Sequence, residues 1–329
     1  MTVRIALDAM GGDHAPLQVV LGAIDAAARG VDVVLVGAAS ELQPLLEEHD
    51  SDLPIVDAPD RIEMGEDPAS AIRTKKNASV TVAARMVAAG DAAGMVSAGS
   101  TGATLAAAAI VIGRIPGISR PAIAAIIPAG EPSVVLDVGA NLEVRPAHLV
   151  EFAVMGSALA QVYLDREEPT VGLINIGEEA GKGRELEKEA LALLAAGSLH
   201  FVGNVEGRDL GLGTADVMVT DGFTGNVLLK TAEATARAVA GMVIGEVADA
   251  GERDQVVVEA AGRLMPHLMA VRTRLDPEVF GGAHLIGARG TVVIAHGSSS
   301  RFAIANAVQL AADGAAEGLV DRIEAGIDV

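Results

Sequence analysis

The chain has 329 residues, half of them hydrophobic but only 2% aromatic, with no Trp, no Cys and a formal net charge of −20. The missing thiols exclude disulfides, thiolate metal sites and a cysteine acyl-enzyme. The negative surface repels phosphate backbones and anionic headgroups, which argues against a nucleic-acid partner.

The first strand pattern covers residues 5–7 and begins so early that no signal peptide is expected. It runs into Asp8-Ala9-Met10-Gly11-Gly12-Asp13-His14-Ala15-Pro16 and then a helical pattern over 17–29. A strand, a glycine turn and a helix present polar groups at a sheet's carboxyl edge, where α/β proteins bind ligands. Further buried-strand patterns lie at 33–36, 95–97, 123–127, 134–138, 171–176, 201–202, 217–219 and 292–295. Helical patterns lie at 101–112, 147–163, 182–196 and 301–317. Continuous β-branched runs alternating with helices predict a three-layer α/β/α fold with a mostly parallel sheet, in one unit spanning 1–329. The apolar stretch 103–113 is far short of the roughly 18 residues that span a bilayer.

Residues 231–275 break the alternation. Val257, Ala261, Leu264, Leu268, Val271 and Leu275 repeat at the spacing of two packed helices, which predicts a helical arm over about 231–278. Pro266 is expected to kink or split it. Such a hairpin packs on the body or on a second subunit. The alternative is an arm that docks an acidic carrier protein or a membrane.

Several strand ends carry polar turns. Ser97-Ala98-Gly99-Ser100-Thr101-Gly102 opens a helix and reads either as an anion site or as a plain N-cap. Asn141, closing Asp137-Val138-Gly139-Ala140-Asn141, is a turn residue or a ligand donor. Gly177-Glu178-Glu179-Ala180-Gly181-Lys182-Gly183 fails the phosphate-loop test, because one residue is missing between the glycines and no Ser or Thr follows Lys182. Asn204 with Glu206, and Asp221 with Asn226 and Lys230, form two more polar clusters expected at one rim. His296 begins a serine-rich turn. No zinc-hydrolase, serine-hydrolase or dinucleotide signature is present.

Taken jointly, these stretches resemble the bacterial phosphate acyltransferase family (PlsX). The matching segments are DAMGGDHAP at 8–16, SAGSTG at 97–102, GRIPGISRPA at 113–122, LDVGAN at 136–141, FAVMGS at 152–157, NIGEEAGKG at 175–183, GNVEGRD at 203–209, DGFTGN at 221–226, GGAHLIG from 281 and IAHGSS ending at 299. The sequence departs from the family at Ser100, where Asn is commoner, and at His284, where Pro is commoner. The resemblance implies a fold similar to the phosphotransacetylase and isocitrate dehydrogenase-like group. It implies transfer of a long-chain acyl group from the phosphopantetheine thioester of acyl carrier protein to inorganic phosphate. It also implies a cytoplasmic homodimer with peripheral contact at the inner membrane and no cofactor of its own. Within that reaction, phosphate binding is assigned to Gly99, Ser100, Thr101, Gly102 and Lys182. Proton handling goes to His14, oriented by Asp13 or Asp8. Asn204 and Asn226 are expected to donate to the thioester oxygen, with Asp221 orienting Lys230. Asn141, Glu206 and His296 complete the expected substrate contacts. A coenzyme A-dependent phosphotransacylase and a non-catalytic scaffold linking fatty acid and phospholipid synthesis are the alternatives.

Overall fold

The computed structural model describes residues 3–128, 130–253 and 255–327. One sheet of eleven strands runs through it in the order β3-β2-β1-β4-β11-β10-β5-β6-β9-β7-β8. The strands are β1 (Arg4–Asp8), β2 (Asp32–Gly37), β3 (Ile55–Asp57), β4 (Gly94–Ser97), β5 (Ala122–Ile127), β6 (Ser133–Leu136), β7 (Val171–Ile174), β8 (Phe201–Val205), β9 (Val217–Val219), β10 (Gly282–Ile286) and β11 (Thr291–Ala295). Seven of the ten pairings are parallel. Helices cover both faces, as strands apolar on both sides require. On one face lie α1 (Leu17–Ala28), α2 (Ala39–Glu48) and α10 (Arg301–Ala316), whose Val20, Leu42 and Val308 pack on Leu7, Leu35 and Val293. On the other, α4 (Ser79–Ala89) and α5 (Thr101–Ala107, continued by a π turn over Ala108–Ile112) cover Ala6, Met95 and Val292. Farther along the sheet, α6 (Pro146–Tyr163), α7 (Glu185–Ala196) and α11 (Leu319–Ile327) form a third cluster around Phe152 and Leu159.

The sheet corrects the expectation of a single rim. Between β11 and β6 three successive pairings are antiparallel: β11 with β10, β10 with β5, and β5 with β6. Three reversals turn the direction over. The carboxyl ends of β1, β4 and β11 leave one edge, and those of β6, β7, β8 and β9 leave the other. Four strand-to-strand steps separate β11 from β9, and at roughly 20–25° each they also turn the second edge by about 90°.

The arm is helical, built from α8 (Gly222–Arg253) packed against α9 (Gln255–Arg274). Pro266 neither splits nor ends α9. It sits on an exposed stretch together with Gly262, the residue whose carbonyl it leaves without a helical partner, so water can take that bond. α8 ends at Arg253 and α9 begins at Gln255. Of the expected seam, Ala261, Leu268 and Leu275 are half-buried, Leu264 and Val271 stay exposed, and the side chain of Val257 lies outside the described residues.

Candidate active site

The strand order places the best-formed crevice of the first edge. After β1 the chain crosses by α1 to β2, on one side. The chain leaves β4 through α5 for β5, which lies beyond β11 and β10 on the other side. Connections that depart in opposite directions from two adjacent parallel strands leave a gap beyond their carboxyl ends, and ligands of open α/β sheets bind there. Here the gap is flanked by the turns Asp8–Gly12 and Ser97–Gly102. It holds a small cleft lined by Asp8, Gly11, Arg61, Ser79, Ser97, Gly99, Ser100 and Thr104, among others.

Glycine makes the two turns touch. A Cβ on Gly11 would sit 2.7 Å from the Gly99 amide nitrogen and 2.8 Å from Asp8 Oδ2. Across this contact Ser97 donates its hydroxyl to Asp8 Oδ2 at 2.6 Å and accepts the Gly99 N–H at 3.1 Å. Met10 N–H donates to Asp8 Oδ1 at 3.3 Å. Burial pushes the Asp8 carboxyl up from its usual range, against the lowering effect of Ser79, Ser97 and the neighbouring amides. Ser100 caps α5, accepting the Ala103 N–H at 3.4 Å. Among the described residues the amides of Ser100, Thr101 and Gly102 donate to nothing. They form the positive end of a helix start, and of the three residues Ser100 lines the cleft.

The turn after β11 closes the same edge. Asp13 N–H donates to Gly297 O at 2.7 Å, fixing it beside the first turn. His296 Nδ1 accepts the Ser298 N–H at 3.2 Å and lies 2.8 Å from its hydroxyl, so Nε2 carries the ring proton. His14 is exposed, as is Asp13. No hydrogen bond to the His14 ring is made by Asp8 or Asp13 among the described residues. Asp8 is committed to Ser97, so the expected orientation of His14 is not present.

The remaining expected residues form a second cluster at the other edge. Asp137, wholly buried, gathers the amides of Ile123, Gly139, Ala140 and Asn141 with the Asn141 side chain, which also donates to Pro121 O at 2.8 Å. Asn204 donates to Glu179 O at 3.0 Å and accepts from Asn175 at 3.1 Å. Lys182 lies 3.8 Å from Glu179, and Glu206 pairs with Arg208 at 3.2 Å. Asp221 accepts from Arg184 at 2.5 Å, and from the Thr224 amide and hydroxyl at 2.8 and 3.0 Å. Burial alone would raise the Asp221 carboxyl, yet Thr224 and Arg184 outweigh it and hold it below its ordinary range. Asn226 is exposed near Gly139.

Two expected pairings are therefore corrected. Lys230 binds Glu233 at 2.9 Å rather than Asp221. At about 1.5 Å of rise per residue, nine positions carry Lys230 some 13 Å along α8 from the capping carboxylate. Lys182 also belongs to the second edge and makes no hydrogen bond or ion pair to the Gly99–Gly102 turn among the described residues. Sequence reasoning missed Ser79, Thr104 and Arg61 in the crevice and Arg184 in the second cluster. Ser79 and Arg61 come from the β3–α4 segment, which carries no motif of its own. Ser97 stood inside a quoted motif, and its pairing with Asp8 follows only from the adjacency of β1 and β4.

The family model described as "Fatty acid synthesis protein" matches residues 3–322. A phosphate acyltransferase of Desulforamulus reducens is 46% identical over 99% of this chain and 98% of that protein. One from Bacillus cereus is 43% identical over 98% of this chain and 97% of its own length. Among solved structures, the EutD phosphotransacetylase of Staphylococcus aureus superposes with a TM-score of 0.61 over 95% of this chain and 94% of that one, at 19% identity, a likeness of fold. With its crevice turns in family order and relatives matched end to end, the chain belongs to the fatty acid synthesis protein family whose members include these phosphate acyltransferases.

Proposed function

We infer that this acyltransferase moves a long-chain acyl group from the phosphopantetheine thioester of an acyl carrier protein to inorganic phosphate, giving an acyl phosphate for phospholipid synthesis. The observation that carries the reading is the crevice between β1 and β4, where Ser100, at the amide-rich start of α5, lines a cleft together with Asp8, Ser79 and Ser97. Phosphate brings the nucleophile, so no protein nucleophile is required. The leaving thiol, with an ordinary pKa of about 8.5, departs without strong acid assistance. What the protein supplies is placement and charge stabilisation.

Phosphate occupies the Gly99–Gly102 turn, with His14 and His296 at its border. The second cluster, around Lys182, Asn204, Asp221 and Asn226, handles the thioester donor. No cofactor is needed beyond the pantetheine on the carrier. The exposed Val239, Met242, Val243, Leu264 and Val271 of the arm support a homodimer, peripheral membrane contact, or both, at the inner face of the cytoplasmic membrane. Among the described residues no helix is long and apolar enough to cross it.

Thiol release from acyl carrier protein, measured with and without phosphate, tests the reading. Release that depends on phosphate and is faster with the carrier than with acyl coenzyme A is expected. Preference for the coenzyme A thioester identifies a phosphotransacylase instead, and no release identifies a scaffold.

A further inference from the structure

The phosphate site just described contains a group that ought to oppose it. Among the described residues lining the cleft, Asp8 is the one acid and Arg61 the one base. Asp8 is 2% exposed and lines the cleft together with Gly99 and Ser100 at the start of α5. Arg61 is already paired with Glu41 at 2.5 Å. A carboxylate next to a dianion is repulsive, and in a site shielded from water the repulsion is large. Only a ligand that carries its own proton converts that contact into a hydrogen bond.

Inorganic phosphate keeps at least one proton throughout the neutral range. Sulfate has the same shape and charge and carries none. The Asp8 carboxylate offers about four acceptor positions. Ser97 and Met10 occupy two at ordinary geometry, with Ser79 and the Gly11 amide close by. The reaction also has a proton to move. HPO4²⁻ and RCO–SR′ become RCO–OPO3²⁻ and R′SH: a phosphate oxygen bonds to the acyl carbon, the carbon–sulfur bond breaks, and the proton that phosphate brought ends on the departing sulfur.

We propose that Asp8 accepts the hydroxyl proton of bound phosphate, so that it both selects phosphate over sulfate and relieves the nucleophile of its proton on the way to the leaving thiolate. Burial makes this carboxyl more basic than an exposed one, which suits the task. Ser97 is a positioning residue: its hydroxyl fixes Oδ2 and, through the Gly99 amide, ties the carboxylate to the phosphate turn. The inference rests on the acyl-transfer reading, but its first test does not require turnover.

That test is isothermal titration of the full chain with inorganic phosphate and, separately, with sulfate. Phosphate is expected to bind at least about 100-fold more tightly, the discrimination produced when a site's buried polar group is left opposed rather than paired. Equal affinities would overturn the proposal. Asp8→Asn should bring the two anions to within a few fold and lower phosphate-dependent turnover by about 100-fold or more. Undiminished turnover in that variant also overturns it. Should Asp8→Asn fail to fold, Ser97→Ala provides the second variant: it retains the carboxylate but frees it, and is expected to narrow the phosphate preference about tenfold. Arsenate keeps a proton as phosphate does and should release thiol with the wild type, whereas sulfate should not. A wild type that prefers phosphate but releases no thiol would refute the acyl-transfer reading while leaving the anion selectivity in place.

Discussion

Single residues here divide into those that hold the fold and those left for chemistry, and pH separates them. His284 is 2% exposed, stacks at 5.0 Å on Tyr163, and its Nε2 finds no partner among the described residues. Burial pushes its pKa down from 6.5 to about 3. The unfolded chain therefore takes the proton first, and stability falls as pH drops from about 6.5 toward 3. His284→Leu should gain about 1–3 kcal/mol at neutral pH, the cost of the orphaned nitrogen. Thermal scans should show a melting temperature that falls less between pH 6.5 and 4 than that of the wild type. Arg184 acts in the same pH direction, but through carboxylates. It joins Glu187 and Asp221, both buried, and holds both carboxyls below their ordinary range against the raising effect of burial. That stabilisation is present above about pH 4 and is lost as pH falls through the depressed values. Arg184→Met should cost about 2 kcal/mol at pH 7, between an exposed and a buried pair. Urea titration at pH 7 and pH 3 should show the difference shrinking at the lower pH.

At the scale of elements, the second cluster is set by how the start of α8 meets the loop after β6. Gly222 N–H donates to Asn141 O at 2.8 Å, and Asp221 caps the first turn through Thr224. Gly225 lies against the carbonyl oxygen of Asp137, so close that a methyl there would drive into it. The contact is with backbone and cannot be relieved by a rotamer. Gly225→Ala should therefore cost about 1–3 kcal/mol or more, seen as a lower denaturation midpoint and as loss of amide protection at Gly139–Asn141. At Gly262, which meets no neighbouring atom, the same change should be neutral or slightly stabilising. Much of this layout was legible beforehand: the strand at 217–219, the polar turn and the helix after it all follow from local pattern. The short edge strand β3 and the glycine-flanked β10 were not, because three to five residues without a sustained apolar run give periodicity nothing to act on.

Across the whole molecule the decisive feature is the reversal of strand direction through β10, β5 and β6. It assigns the polar, glycine-rich turns of the sequence to two edges and splits the expected machinery between them. Lys182 and the Gly99–Gly102 turn should then fail independently. Lys182→Met is expected to leave the KM for phosphate within about twofold and to raise the KM for the acyl donor about tenfold, the size of one charge-assisted contact. Steady-state kinetics with each substrate varied in turn would show it. A raised phosphate KM would return Lys182 to the phosphate site and require the two edges to close on each other.

By itself the sequence determined the layered α/β class, the helical arm, the order of the loops and, through their joint motifs, the family. These are properties of local pattern: continuous apolar runs bury on both faces, glycine permits tight turns, and polar residues collect at strand ends. Only the tertiary structure decided which loops share an edge. Parallel and antiparallel neighbours have the same side-chain period, so the pattern that predicts a mostly parallel sheet does not mark which strands reverse or in what order they lie. The same blindness hid the Asp8–Ser97 pair, formed by residues 89 positions apart that hydrogen-bond only because β1 and β4 are neighbours in the sheet.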